Sequence, residues 1–458
     1  MKVSVFGAGY VGLVTGAVLA DLGHHVTLIE VSQEKISLIS QRCSPIFEEG
    51  LESLMARAMD NGHLDVTDDA QAAVAQSDVI FIAVGTPPLP DGEADLRYVR
   101  QAALAIGHGL TGESRQVIVN KATVPIGSAN LVEVWIQDGY REVHGRGPSA
   151  EWYSVASNPE FLREGTAVYD TLYPDRIVLG ADQDWALQRL KDLYQPIITQ
   201  SFGPPPEAPR PNGLTSVPVV VTDRISSEMI KYAANAFLAT KISFANEIAN
   251  ISERVGADVV EVMQGIGLDK RIGSRFLNAG IGWGGSCFGK DLSALTVTAD
   301  EYGYHPRLLR ATQDVNRDQR LTVVKRLQEA LKAIKGRRIA LWGVAFKPGT
   351  DDLRDAPALT IIEELLRLGA RVRVYDPIAL DNLRRTHPDL EVEYAESAEG
   401  ALDGSDALIL ATEWPEFRDI PLPRIEERLT RGIVIDGRNF WDPEEARRAG
   451  LQYRGIGR

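Results

Sequence analysis

Cysteine is nearly absent: 2 in 458 residues, too few for a disulfide framework, so a reducing compartment, the cytoplasm, is expected. Histidine is also scarce. Its 7 copies show no ligand spacing, Cys43 has no apparent base or metal partner, and no metal is expected. No apolar run reaches membrane-spanning length. The first residues, Met1-Lys2-Val3-Ser4-Val5-Phe6, begin a strand directly and do not form a signal peptide. Positive charge is in deficit. A formal net charge of −14 argues against nucleic acid and against an anionic membrane surface. It leaves room for an anionic small molecule in a local basic pocket. No fixed-period repeat is visible.

What is present begins with length. A chain of 458 residues exceeds one core, so two or three domains are expected. A short apolar run at 3–6 leads into Gly7-Ala8-Gly9-Tyr10-Val11-Gly12. A helical run at 13–22, a second strand at 25–29 and the acid Glu30 follow. This is the strand, glycine turn, helix, strand, acid order of a dinucleotide site. The first glycine makes the turn, the second admits a pyrophosphate and the third lets the helix pack on the sheet. Glu30 would accept hydrogen bonds from both ribose hydroxyls and repel a 2′-phosphate, so NAD is expected as cofactor in preference to NADP. Lys35 lies within reach of the adenosine end, or is a solvated helix charge.

Further strands are expected over 78–84, 117–120, 153–156 and 177–179, each ending in a polar or turn-rich cluster. Open parallel sheets bind ligands at the carboxyl ends of their strands, which is where Thr123, Glu160 and Glu164 fall. Taken alone, Thr123 reads as a turn hydroxyl and Glu164 as a helix-start carboxylate. Residues 199–218 are proline-rich and polar and read as a surface loop leading to a boundary. One long helix is then expected over 226–255, capped by Asp223 or Ser226. Lys231 and Asn235 are four apart and share a face. By itself Lys231 reads as an exposed helix lysine.

The chain is organised around Gly282-Trp283-Gly284-Gly285-Ser286-Cys287-Phe288-Gly289-Lys290-Asp291. The glycines permit close backbone approach. A helix over 292–300 places Cys287 at or near a helix N-terminus, where the dipole and Lys290 favour a thiolate. The competing reading is a small buried hydrophobe. Helical sequence continues to about 334. A second α/β unit then repeats the first without its glycine motif: strands at 339–343, 371–375, 407–411 and 433–435, and a helix over 358–368. It is either a second nucleotide site, using Lys347 and Arg438 on phosphates, or a structural lid. The expected fold is therefore α/β, with two Rossmann-like doubly wound domains joined by a long central helix. Expected boundaries are 1–205 for the NAD-binding domain, 206–330 for a central helical dimerisation and catalytic region, and 331–458 for a Rossmann-like nucleotide-sugar domain.

Over nearly its whole length the chain resembles the UDP-glucose 6-dehydrogenases, within the wider nucleotide-sugar dehydrogenases. The resemblance is carried by the glycine turn, by Asn158-Pro159-Glu160-Phe161-Leu162-Arg163-Glu164-Gly165, by Lys231-Tyr232-Ala233-Ala234-Asn235-Ala236-Phe237, by the cysteine stretch and by Phe346-Lys347. It implies oxidation of a sugar C6 alcohol to a carboxylate with two NAD⁺, through a cysteine thiohemiacetal and thioester. It implies Cys287 as nucleophile, with Lys231, Asn235 and Asp291 around the reacting carbon and Thr123 and Glu160 on the water and proton path. It places Gly7, Gly9, Tyr10, Val11, Gly12, Glu30, Lys35, Thr86, Thr123, Glu164 and Arg354 near NAD. It places Glu160, Phe161, Leu162, Lys231, Asn235, Arg271, Gly284, Lys347 and Arg438 near a UDP-sugar. Arg271 is expected to reach in from a neighbouring subunit of a homodimer or higher homo-oligomer. Trp283 and Gly289 depart from the family pattern; neither belongs to the implied catalytic set, and Trp283 has the bulk to alter pocket shape. The stretches near 204–213 and 143–150 look like insertions. The rival readings are the same chemistry on GDP-mannose or UDP-N-acetylmannosamine, and a catalytically inactive NAD-binding regulator.

If Glu30 faces the adenosine ribose, a 2′-phosphate would bring two negative groups together in a partly desolvated site. Steady-state kinetics should therefore give a much lower kcat/KM with NADP⁺ than with NAD⁺. Equal efficiency would remove Glu30 from the ribose site.

Overall fold

The computed structural model describes residues 1–90 and 92–458, which divide into two compact units, 1–233 and 234–458. In the first, eight strands form one sheet. They are β1 (Lys2–Phe6), β2 (His25–Ile29), β3 (Leu64–Thr67), β4 (Val79–Ile82), β5 (Gln116–Asn120), β6 (Tyr153–Ser157), β7 (Ile177–Ala181) and β8 (Val219–Thr222). The order is β3-β2-β1-β4-β5-β6-β7-β8. Strands β4, β5 and β6 are buried along their whole length, as expected where helices cover both faces. The order reverses between β1 and β4, and the carboxyl ends there open a crevice suited to a ligand.

One expectation is corrected in this unit. The strand at 177–179 was placed in a parallel set, but β7 pairs antiparallel with β6. Gly180 and Ala181 thus pair with Ser157 and Ala156, beside the carboxyl end of β6. Around the expected boundary at 205/206 the chain stays packed within this unit. Residues 199–218 carry neither helix nor strand beyond Ile198, yet Ala208 and Val217 are buried, and the Tyr173 hydroxyl donates to the Ala208 carbonyl at 2.7 Å. The chain then adds β8, which pairs parallel with β7, so this unit runs on to Ala233. Alternation is too short in β3 and β8 to stand out from sequence.

The second unit holds a six-stranded, all-parallel sheet. Its strands are β9 (Arg338–Trp342), β10 (Arg371–Tyr375), β11 (Glu393–Tyr394), β12 (Ala407–Leu410), β13 (Ile433–Asp436) and β14 (Gln452–Arg454), in the order β11-β10-β9-β12-β13-β14. This repeats the order of the first six strands of the other unit. The helices Phe288–Glu301, Arg307–Arg320 and Thr322–Leu331 precede it.

The long helix is continuous over Arg224–Val255, two residues longer at its start than expected. Asp223 caps it, accepting from the Ser226 amide at 2.8 Å and the Ser226 hydroxyl at 2.6 Å. Its buried face carries Ser227, Glu228, Lys231, Asn235, Ala239, Ser243 and Asn246. The opposite face leaves Ile225, Met229, Phe237, Phe244, Ile251 and Val255 exposed, at spacings close to whole helical turns. No helix among the described residues is long and apolar enough to cross a membrane.

Candidate active site

In the first unit the site is built from backbone geometry at the β1 turn. Gly7 has φ of 95°, and a Cβ there would sit 3.0 Å from the Ala83 carbonyl oxygen. At Gly12 a Cβ would lie 1.9 Å from the Gly7 carbonyl oxygen, so only glycine lets the helix Tyr10–Asp21 start so close to the strand. A Cβ at Gly9 would meet nothing within 4 Å, and no side chain caps the helix that Gly9 opens. Its N-terminal amides therefore face open space, the cradle a pyrophosphate requires.

Glu30 ends β2 beside this turn. It accepts from the Ala8 amide at 3.0 Å, Val31 at 2.9 Å and Ser32 at 3.0 Å, with the Lys35 ammonium 3.7 Å away. Burial pushes the carboxyl pKa up, but the amides of Ser32 and Ala8 and the charge of Lys35 outweigh it and hold it below its ordinary value. Glu30 is thus a carboxylate fixed in orientation. The residues fit NAD: an open helix terminus for the pyrophosphate and an anion for the ribose. Thr86 ties the loops after β4 and β5 together, its hydroxyl donating to the Thr123 carbonyl at 2.8 Å. Tyr10 donates to the Phe47 carbonyl, and Val11 is partly buried beside it.

Lys231 is not an exposed helix lysine. It is buried, and its ammonium donates at 2.8 Å to Glu160, which is buried too. The other Glu160 oxygen accepts from the Leu162 amide at 2.8 Å. Phe161 lies between two cations, Arg176 at 3.6 Å and Lys231 at 5.5 Å from its ring centre. Removing one partner of such a pair leaves an uncompensated buried charge, at a cost of about 3–5 kcal/mol. Glu164 is buried a turn further on. Three supporting residues lay outside the sequence reading. Glu48 accepts from the amides of Gly165 and Ala167 and fixes the loop carrying Glu160 to Glu164. Glu228 accepts from Gly127 at 2.6 Å and Ala129 at 3.0 Å, behind Thr123. Burial pushes the Glu228 carboxyl up to about 7 against those amide donors. Lys121 is buried next to Thr123 in sequence. None has a sequence signal, because each is defined by a partner distant in the chain.

In the second unit, Cys287 is exposed at the N-cap of Phe288–Glu301, and its carbonyl accepts from the Asp291 amide at 2.9 Å. It is not the small buried hydrophobe of the competing reading. Asp291 lies one turn on and is buried. One of its oxygens accepts from Asn235 Nδ2 at 2.6 Å, and the other is 3.5 Å from the Lys290 ammonium. The glycines are dictated by what the stretch packs against. A Cβ at Gly284 would lie 2.2 Å from the Asp355 carbonyl oxygen, and one at Gly285 would lie 2.7 Å from the Phe346 ring. The Gly285 amide donates to the Arg354 carbonyl at 3.0 Å. Arg438 donates to the Ala411 carbonyl at 2.8 Å and to the Gly282 carbonyl at 3.1 Å. Asp436 positions the Arg438 turn by accepting its amide and those of Phe440 and Trp441.

Three other expected residues are held by partners close in sequence. Arg354 is paired with Asp352 at 2.8 Å, and the Lys347 ammonium lies 5.5 Å from the Phe346 ring centre. Arg271 stands with its side chain 89% exposed, paired with Asp269, outside the Cys287 cluster. The Trp283 indole is buried against Ala236, Ala239 and Leu292 and donates to the Ser243 hydroxyl at 3.0 Å. It is a core side chain beneath the stretch.

A dinucleotide turn, a second sheet of the same order and a thiol on a glycine-bound helix terminus define an NAD-dependent dehydrogenase. Comparison with known proteins narrows the class. Models of the UDP-glucose/GDP-mannose dehydrogenase family match residues 1–198 (NAD binding domain), 225–318 (central domain) and 340–443 (UDP binding domain). The chain belongs to that family. It is 43% identical to the UDP-glucose 6-dehydrogenase YwqF of Bacillus subtilis, over 100% of this chain and 98% of that protein. A UDP-glucose dehydrogenase structure from Pyrobaculum islandicum superposes with a TM-score of 0.87 at 39% identity, covering 99% of this chain and 97% of that one. A UDP-D-ManNAc dehydrogenase structure from Pyrococcus horikoshii gives a TM-score of 0.84 at 26% identity, covering 100% and 99%.

Gly284→Ala should lower the melting temperature and cut turnover sharply. Its methyl would meet backbone, and relief of such overpacking typically costs about 1–3 kcal/mol. Gly289→Ala is the control. Its methyl would come no closer than 3.2 Å to the Asp355 side chain, so stability and turnover should stay near wild type. Equal behaviour of the two variants in thermal melts and NADH assays would contradict this packing account.

Proposed function

We propose that the protein oxidises UDP-glucose to UDP-glucuronate, a four-electron conversion consuming two NAD⁺ per sugar. The observation that carries this is Cys287 exposed at a helix N-cap, with Asp291 one turn on bonded to Asn235. The higher identity to proteins named for UDP-glucose than to one named for UDP-D-ManNAc supports the substrate. NAD⁺, held by Gly7, Gly9, Gly12, Glu30 and their neighbours, supplies the acceptor for the two hydrides that leave C6.

The chain's own groups do the rest. Lys231 takes the C6 hydroxyl proton or relays it to water, with Glu160 as its counter-ion. The Cys287 thiolate adds to the aldehyde carbon, and the resulting thiohemiacetal stays covalently bound. Lys231 and Asn235, one helical turn apart, hold the developing oxyanion. Loss of the second hydride leaves a thioester. Water activated by Glu160, or by Asp291 with Thr123, then releases the carboxylate and restores the thiol. Phe161, Leu162, Gly284, Lys347 and Arg438 are assigned to the nucleotide sugar, and Arg354 and Glu164 to NAD. Arg271, exposed and paired only locally, is assigned to a neighbouring subunit's substrate. The division of labour is NAD binding by 1–205, catalysis and dimerisation by 206–330, and UDP-sugar binding by 331–458. The reducing cytoplasm suits an exposed catalytic thiol.

Wild-type enzyme should form two NADH per UDP-glucose and prefer it to GDP-mannose and UDP-N-acetylmannosamine. Cys287→Ala should keep NAD binding and the first hydride transfer, but lose turnover by several orders of magnitude, as when other catalytic nucleophiles are removed. Near-normal turnover with two NADH per sugar would make Cys287 structural.

The exposed stripe Ile225, Met229, Phe237, Phe244, Ile251 and Val255 supports a homodimer packed along the long helix. Light scattering at assay concentration should give at least twice the monomer mass. A fully active monomer would exclude this assembly.

A further inference from the structure

We infer that Lys121 is a positioning residue for proton transfer at the Lys231–Glu160 pair, anchoring the segment that carries Glu160 and setting a second positive charge against Lys231. This rests on the reading that the pair handles the C6 proton. Lys121 follows β5 directly, and its amide donates to the Ile82 carbonyl at 3.0 Å. Its side chain is buried, with the ammonium 5.9 Å from the ring centres of both Phe81 and Tyr194. The ammonium donates to Asn158 Oδ1 at 3.0 Å. The same oxygen accepts from the Tyr194 hydroxyl at 2.7 Å, and Asn158 Nδ2 donates to the Val178 carbonyl at 2.9 Å. Asn158 is thereby fixed on both sides, two residues before Glu160.

Among the described residues Lys121 forms no ion pair of its own. A buried ammonium without a carboxylate is costly and calls for a reason to be kept. Burial pushes its pKa down to about 8, Glu160 pulls it up and Lys231 pushes it down further. Pairwise electrostatic coupling is reciprocal, so a charged Lys121 must in turn ease loss of the proton from Lys231. The other groups facing this network do not replace it. Tyr194 keeps its proton, since burial raises its pKa. Arg176 is engaged on the far side of Phe161, and Glu228 is held by the amides of Gly127 and Ala129. The sign follows: with the Lys121 charge removed, Lys231 holds its proton to higher pH.

The test is the pH profile of kcat for the full chain with UDP-glucose and saturating NAD⁺, in Lys121→Met, Lys121→Gln and Lys121→Arg. Both neutral variants should move the rising limb up by about one pH unit, the order expected for a unit charge at a partly desolvated site. KM for NAD⁺ should stay within about twofold, because cofactor contacts lie elsewhere. Lys121→Arg should restore the limb. Where Met fails to fold, Gln carries the same test. A lower kcat with an unmoved limb in the neutral variants, or an Arg variant shifted as far as Met, would overturn the inference. Lys231→Met, run in parallel, separates this from the underlying reading. If it keeps wild-type rate and limb, the pair is not the proton acceptor and both fall. If it abolishes turnover while the Lys121 variants leave the limb unmoved, only the role of Lys121 falls.

Discussion

A lysine ammonium and a glutamate carboxylate, both withdrawn from water and 2.8 Å apart, are the constraint on which the first unit turns. Neither charge is tolerable there without the other. Lys231 can be buried only because the segment after β6 delivers Glu160, and that segment holds its course because Glu48, Asn158 and Leu162 bond it from three directions. The antiparallel course of β7 and the addition of β8 lead into the first turns of the long helix, with Gly180 leaving space against Ser227.

The second unit solves a different problem, presenting a thiol to solvent on rigid backbone. The backbone that carries Cys287 is held by its neighbours: Gly284 against Asp355, Gly285 against Phe346, Trp283 sunk among Ala236, Ala239 and Leu292, and Asn235 bonded to Asp291. Cys287 is the N-cap of the helix Phe288–Glu301, at the positive end of its dipole. Both sheets also use one device at their first turn. The Gly7 amide donates to the Ile29 carbonyl while Glu30 takes the Ala8 amide. The Gly343 amide donates to the Tyr375 carbonyl while Asp376 takes the amides of Val344 and Ala345. The same strand, turn, strand and acid arrangement serves in both, with an open glycine position at Gly9 in the first.

Much of this was legible because it is local. The spacing of Gly7, Gly9, Gly12 and Glu30 is a property of one turn, and short apolar strands alternating with helical stretches mark the fold class. The helix start at Cys287 follows from the glycines ahead of it. What stayed hidden depends on distant partners. Lys231 looks like any helix lysine until Glu160 arrives from 71 residues away. Lys121, Glu48 and Glu228 have no motif at all. Strands β3, β8, β11 and β14 have two to four residues each, too few for a period to register. Along the chain Trp283 flanks a glycine loop, and the partners that bind its indole and amide, Ser243 and Asn316, are distant in sequence.

The central claim is that the sugar is bound covalently to Cys287 between its two oxidations. Rapid acid quench of the enzyme turning over UDP-glucose, followed by peptide mass mapping, tests it directly. The account predicts a sugar acyl adduct on the peptide containing Cys287, lost on treatment with hydroxylamine as a thioester should be. Turnover at full rate with no adduct on that peptide, and aldehyde accumulating free in solution, would contradict it.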